Sequence, residues 1–421
     1  MSWLKLLRCI TCRREFTPAE IDYTCPFCGP REGTLEPLYD YDSVSRHLSR
    51  KALSSNIRYD MWRYLPLLPI VDPEKIPDLL VGWTPLYRSP QLENQLKLAR
   101  VWIKDDGRNP TASLKDRASA VAVVKALEKN ARISTAASSG NAAASWSAFT
   151  AICGLKTVIF VPETTPSAKL AQLRLYGAHV FQVKGTYDQA FDLCCRAADK
   201  WGWYNRSTAV NPYLGEGKKT AALEICEQLN WEVPDYVLVG VGDGCILQGL
   251  WKGFKEFYKL GLIDRQPKMV GVQAQGAAPL VNAWQAGSRR VQPTITKTLA
   301  DSIAVGTPRD QIKCLAAVRE SAGRMISVAD EDILTAMHNL AVTTGIMAEP
   351  AGAVGLAGLQ KLVKPGMATS RERAVVLVTG HGLKDIDSVM KAGIHEPIRI
   401  DPVLTDVEAQ LRLDGLLPKS F

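Results

Sequence analysis

From Trp83 onward the hydrophobic positions fall into one recurring pattern. A short apolar run leads into a turn rich in small residues, and a segment with helical spacing follows. The apolar runs predict strands at Val101–Lys104, Lys156–Val161, Ala178–Val183, Tyr236–Val241, Met269–Gln273 and Ala374–Thr379. Between them the 3.6-residue period predicts helices at Ala118–Glu128, Ser167–Leu175, Tyr187–Lys200, Lys218–Leu229 and Glu331–Thr344. Strands alternating with helices predict an α/β fold with parallel sheets covered on both faces. Ligands of such folds sit at the carboxyl ends of strands, so the turns there are where chemistry is expected. Upstream the pattern fails. Residues 1–40 are short, charged and turn-rich, and residues 41–80, punctuated by Pro66, Pro69, Pro73 and Pro77, read as a connecting arm.

Composition narrows the class. With 421 residues, 46% apolar and 22% charged, the chain can bury a sizeable core, and two or three domains are expected at roughly 150 residues each. No apolar stretch approaches the roughly 18 residues of a membrane span, and residues 1–8 are too short an apolar run for a secretory signal. A cytoplasmic, reducing location without a membrane partner is expected. The net charge of +8 comes without a run of five or six basic residues, so no nucleic-acid partner is expected. An anionic small molecule accounts for part of the excess, and so does an ordinary basic surface.

Four turns could carry chemistry. Asn109-Pro110-Thr111-Ala112-Ser113-Leu114-Lys115 opens a helical run, with Lys115 in its first turn. The positive end of a helix disfavours a second cation, which lowers the lysine pKa and frees an amine nucleophile, although an ordinary surface lysine fits the local sequence too. Ala136-Ala137-Ser138-Ser139-Gly140-Asn141 crowds small residues into a strand-to-helix turn, whose N–H groups suit an anion or simply mark a cap. Gly240-Val241-Gly242-Asp243-Gly244-Cys245-Ile246 permits a nest of backbone N–H groups for a phosphate, but Ile246 and Leu247 break the dinucleotide and P-loop spacings. Thr379-Gly380-His381-Gly382-Leu383-Lys384-Asp385 directs a hydroxyl from a strand end, and His381 is a base or a structural loop residue.

The ten cysteines divide unevenly. Cys9, Cys12, Cys25 and Cys28 form two Cys-x-x-Cys pairs, the spacing of a four-thiolate structural site for zinc or iron, with a redox dithiol as the alternative. Residues 1–40 therefore read as a zinc-ribbon-like knuckle. The other six are scattered among apolar or small residues, where cysteine acts as a small hydrophobe.

In this order, the four turns resemble those of the fold type II pyridoxal-phosphate enzymes (the tryptophan synthase β superfamily), and threonine synthase most. Asn211-Pro212-Tyr213-Leu214-Gly215-Glu216-Gly217-Lys218-Lys219-Thr220 and Gly271-Val272-Gln273-Ala274-Gln275-Gly276-Ala277-Ala278-Pro279 are similar to that family's segments as well. The resemblance spans about residues 80 to 395. It implies two doubly wound α/β domains: a large cofactor-binding one over 81–117 and 209–400, a small one over 118–208, and a tail over 401–421. It implies pyridoxal 5'-phosphate as cofactor, with Lys115 as the Schiff-base lysine and Asn141 beside the phenolic oxygen. Gly242, Asp243, Gly244, Cys245 and Ile246 would form the phosphate loop, and Thr379 would meet the pyridine nitrogen. Ser138, Ser139 and Asn211 would face the amino-acid substrate. A hydroxyl cannot hold that nitrogen protonated as a carboxylate can, which favours elimination and replacement over transamination.

The sequence departs from the family in places. Ala112 stands at the family glycine, Leu114 at its phenylalanine, and residues 298–308 are more similar to the amino-acid dehydratases. The expected reaction is the lyase chemistry of threonine synthase, O-phosphohomoserine and water to threonine and phosphate. The alternatives are β-elimination or β-replacement on serine, threonine or phosphoserine, as in a dehydratase or cysteate synthase. A more remote one is a zinc-ribbon nucleic-acid-binding protein with a silent scaffold. Relatives imply a homodimer.

Overall fold

A computed structural model describes residues 2–165, 167–364 and 369–417, so the last four residues of the expected tail lie outside the described residues. The chain opens with a small antiparallel sheet of β1 (Leu4–Cys9), β2 (Glu15–Phe16) and β3 (Leu35–Tyr39), in the order β2–β1–β3. The arm that follows is not structureless, since it carries short helices at Tyr41–His47 and Arg50–Ser54.

The α/β body holds two further sheets. Its strands are β4 (Leu86–Arg88), β5 (Arg100–Asp105), β6 (Ile133–Ala137), β7 (Lys156–Pro162), β8 (His179–Val183), β9 (Tyr204–Asn205), β10 (Tyr236–Gly240), β11 (Lys268–Ala274), β12 (Arg324–Val328) and β13 (Arg373–Val378). One sheet runs β12–β11–β10–β13–β5–β4 and is parallel except for the edge strand β4; the other runs β8–β7–β6–β9 and is parallel throughout. Every residue of β10 is buried, as a central strand with both faces covered requires. β6 escapes an apolar-run reading because it buries hydroxyls. Ser134 Oγ lies 2.9 Å from Thr157 Oγ1, and Thr135 Oγ1 donates to the Val158 carbonyl at 2.9 Å. Satisfied in this way, the two polar residues cost little inside.

The main helices are α1 (Lys115–Glu128), α2 (Asn141–Ile152), α3 (Ser167–Leu175), α4 (Tyr187–Trp201), α5 (Leu214–Gln228), α6 (Cys245–Lys259), α7 (Gln311–Glu320), α8 (Asp330–Thr344) and α9 (Pro350–Val363). α1 and α5 pack so closely that a side chain at Gly217 would strike the Arg117 carbonyl. A fully buried ion network fixes that contact to the sheet. Glu224 accepts from Lys104 Nζ at 2.6 Å and from Arg117 Nη1 at 2.5 Å, and Arg117 Nε reaches Asp106 at 2.7 Å. A second network docks the first sheet on the body. Tyr39 donates to Glu216 at 2.7 Å, and Lys252 reaches both the Pro37 carbonyl at 2.5 Å and Glu216 at 2.6 Å. Among the described residues no helix is long and apolar enough to cross a membrane.

Candidate active site

Lys115 is the first residue of α1, held at the carboxyl end of β13. The Leu114 N–H donates to the Thr379 carbonyl at 2.9 Å, and Ser113 bridges to Gly380. Asp116 ties the preceding turn by accepting from the Thr111 N–H at 2.6 Å and hydroxyl at 2.5 Å. Ala112 sits at φ +59°, the left-handed region where glycine is comfortable and a Cβ is crowded. The Lys115 pKa is lowered to about 8, firstly by burial and then by Lys218, with Glu349 opposing. The direction agrees with the expectation from the helix start; the leading causes are desolvation and a second cation.

Opposite Lys115 the chain leaves β10 and turns through Gly242, Asp243 and Gly244 into α6. Gly244 caps that helix at φ +94°, and a Cβ there would lie 2.5 Å from Cys314 Cβ, so only glycine closes the turn. The Asp243 carbonyl accepts from the Asp310 N–H and its carboxylate from the Arg309 N–H, both at 3.0 Å. Burial raises the Asp243 pKa. The turn, including Cys245 and Ile246, lines a cleft of about 520 Å³ together with Lys115, Lys218, Ser302 and Thr379. Thr379 of that lining is buried one residue past the end of β13.

A larger chamber of about 1360 Å³ adjoins it through Ser302 and Ala351, and Ser139, Asn141, Glu349 and Lys384 border that chamber. Asn141 begins α2, and its amide nitrogen donates to both Glu349 oxygens at 2.8 and 2.9 Å. Ser138 Oγ accepts from the Gly140 N–H at 3.2 Å. Asn211 stands apart from both chambers. Its amide donates to Tyr204 and to the Asn205 carbonyl, and its oxygen accepts from the Tyr213 N–H. His381 spends Nδ1 on the Leu383 N–H at 3.1 Å, so it serves its own turn.

Three residues of the site escaped the sequence reading: Glu349, Arg206 and Lys218. Burial raises the Glu349 pKa, and Asn141 opposes that rise. Arg206 is 2% exposed, and among the described residues its Nε is buried without a partner and its one side-chain hydrogen bond is a 3.4 Å contact to Ser119. Burial pulls its pKa down to about 10. Lys218 is equally buried, lines the cleft and has no ion pair among the described residues. Two buried cations without carboxylate partners are costly in a folded protein unless an anion joins them. The nest, a lysine amine poised near neutrality and Thr379 at the cleft together fit a phosphorylated aldehyde cofactor, and the two cations add charge beyond what the nest supplies.

At the knuckle the four thiols of Cys9, Cys12, Cys25 and Cys28 all lie within 4.8 Å of one another and none is in a disulfide. Cys12 and Cys25 are 3.7 Å apart, close to the edge of about 3.8 Å that zinc–sulfur bonds of about 2.3 Å impose on a tetrahedron.

The family model described as pyridoxal-phosphate dependent enzyme matches residues 78–380, and the chain belongs to that family. Its curated relatives include the threonine synthase of Methanocaldococcus jannaschii, 42% identical over 94% of this chain and 96% of the relative. Those of Methanosarcina acetivorans and Mycobacterium bovis are 37% and 36% identical over 94% and 81% of this chain and 96% and 92% of the relatives. Within the family the chain thus sits among the threonine synthases, enzymes of lyase type. In solved structures the fold recurs in diaminopropionate ammonia lyase from Escherichia coli (TM-score 0.65, 18% identity, 88% of this chain and 94% of that one). It recurs in maize serine racemase too (TM-score 0.62, 21% identity, 73% and 91%). Both carry the fold type II architecture.

Proposed function

We propose that the chain converts O-phosphohomoserine and water to threonine and phosphate. The relatives named threonine synthase support the product. The observation that carries the phosphorylated substrate is a pair of buried cations without ion pairs among the described residues, Lys218 in the cleft with Lys115 and Arg206 near enough to lower the Lys115 pKa. A site for an unphosphorylated amino acid and one cofactor phosphate has less need of two such charges over and above the nest.

In this reading the turn Gly242–Ile246 would hold the cofactor phosphate, Thr379 would face the ring nitrogen and Asn141 the ring oxygen, and Lys115 would supply the amine that holds the cofactor's aldehyde. When bound, pyridoxal phosphate supplies the electron sink that stabilises a carbanion next to the amino group. Ser138, Ser139 and the start of α2 receive the substrate carboxylate. Lys115, with an amine poised near neutral pH, moves protons at the α and β carbons. Arg206 and Lys218 hold the phosphate and stabilise it as it departs from the γ carbon. Asn211 acts at one remove, by fixing the turn that delivers Arg206 and α5.

The two sheets support a domain division at 81–117 with 209–400 and at 118–208, since the six strands of the larger sheet lie in the first ranges and the four of the smaller in the second. We assign zinc to the four knuckle thiols, as a structural ion with all four positions filled by protein. Serine at Cys25 and Cys28 should abolish a metal content of about one per chain. A cytoplasmic homodimer without nucleic-acid partners completes the reading.

Holoenzyme given O-phosphohomoserine should release phosphate and form threonine in equal amounts. The second reading, a dehydratase, is favoured by residues 298–308, where Ser302 borders both chambers. It predicts instead faster turnover of threonine or serine to an oxo acid.

A further inference from the structure

Farther along α6 from the nest, a second cleft of about 660 Å³ lies where the N-terminal sheet meets α6 and α7. Arg8 and Arg13 enter it from the knuckle, Lys252 and Lys255 from α6, and Lys313 from α7, against Glu36 and Glu320. Lys252 is spent on Glu216 and the Pro37 carbonyl, but the carboxylates do not use up the rest of this charge. Arg8 reaches Glu36 through Nη2 at 3.2 Å, but its Nε is buried with no partner. Arg13 has no ion pair among the described residues. Lys255 meets Glu320 at 3.0 Å, and Lys313 donates to the Leu35 carbonyl at 2.9 Å and stands 3.6 Å from Asp310. The field is positive enough to be felt. Burial pushes the Glu36 pKa up, yet Lys252, Lys255 and Lys313 together with Arg8 hold it below the ordinary carboxylate range.

We propose that this cleft binds a small molecule carrying at least two phosphate charges. The free face of Arg8 and the unpaired Arg13 offer guanidinium donors suited to phosphate oxygens, and the lysines add point charges. Trp251, Ile312 and Ala316 give the cleft an apolar floor. Glu36 and Glu320 interrupt the positive wall, so it forms a patch for a small ligand rather than the unbroken stripe that a nucleic-acid backbone would follow. The site is distinct from the active cleft but mechanically close to it. Gln248 lines it one turn along α6 from Cys245 of the nest, and α7 follows directly on Asp310, whose N–H holds the Asp243 carbonyl. An occupant therefore bears on both helices that shape the nest.

The test is calorimetric titration of the holoenzyme with inorganic pyrophosphate, wild type against R13Q/K255Q and against K255Q alone. Both substitutions fall at the surface, away from the active cleft. Saturable binding that weakens at least about tenfold in the double variant and about threefold or more in K255Q is expected, with metal content and phosphate release from O-phosphohomoserine unchanged. Equal affinity in all three proteins would place the binding elsewhere and overturn the proposal. So would the absence of saturable binding in the wild type. A single-stranded oligonucleotide that binds in a variant-sensitive way while pyrophosphate does not would overturn it in favour of nucleic acid. The binding outcomes do not depend on which substrate the active site turns over.

Discussion

Arg206→Met separates what the fold needs from what the substrate needs. Burial lowers the Arg206 pKa to about 10, well below its ordinary range, so folding disfavours the charged form. Because the folded value is the lower one, the penalty is present in full at all pH values below about 10 and is relieved only as pH rises above that value. At about 1.4 kcal/mol per unit it amounts to about 3 kcal/mol at neutral pH. Methionine retains the length, removes the charge and gives up one weak contact to Ser119. The apo protein should therefore unfold at the same or a higher denaturant concentration than wild type. Turnover should move the other way. A charge-assisted hydrogen bond to a phosphate contributes about 1.5–3 kcal/mol, so kcat/KM for O-phosphohomoserine should fall roughly 10- to 150-fold. Cofactor affinity and any slow turnover of serine should change far less. The assays are denaturant unfolding of the apo protein and steady-state phosphate release. A variant destabilised by several kcal/mol, with equal losses on every substrate, would refute the reasoning. A fall in cofactor affinity with unaltered kcat/KM at saturating cofactor would assign Arg206 to the cofactor phosphate instead.

Three further expectations follow from the same geometry. The rate at which apo protein captures pyridoxal phosphate on Lys115, read by absorbance, should rise with pH and level off above about 8, because the free amine accumulates there rather than near 10.5; K115A should capture none and still fold. Thr379→Val should weaken cofactor affinity by about 1–3 kcal/mol, while Thr379→Ser should be nearly silent, as equilibrium dialysis would report; equal affinity in both would remove Thr379 from the ring nitrogen. Burial opposes ionisation of Glu224, but Arg117 and Lys104 prevail and hold its pKa at about 2, so its ion-pair stabilisation is complete above about pH 4.5 and is lost as pH falls towards 2; Glu224→Gln should cost about 3–5 kcal/mol at neutral pH in a urea melt.

The residues that the sequence made legible are those whose local spacing already constrains the backbone. The turn into Lys115, the glycine-spaced turn before α6 and the paired cysteines each need particular residues at fixed offsets, and each forms the local structure expected. Arg206 and Lys218 were not legible, because nothing in Asn205-Arg206-Ser207 or Gly217-Lys218-Lys219 distinguishes a solvated cation from a buried one. Lys218 and Lys219 are neighbours of one type, yet the helical turn sends Lys219 to Glu216 and Glu256 at 2.6 Å and Lys218 to the cleft. Glu349 was hidden for the same reason, since its partner Asn141 lies 208 positions away. β6 was missed as an apolar run because two of its five residues are hydroxyls whose hydrogen bonds form only when β7 lies alongside.

The central claim is that phosphate leaves by cleavage of its bond to carbon and that water then adds to the carbon chain. Mass spectrometry of the products formed in water labelled with heavy oxygen tests this directly. With O-phosphohomoserine as substrate, the account predicts label in the hydroxyl of threonine and none in the phosphate released. Label in the phosphate, with homoserine as the other product, would mean that the phosphorus–oxygen bond is the one broken, and would contradict it.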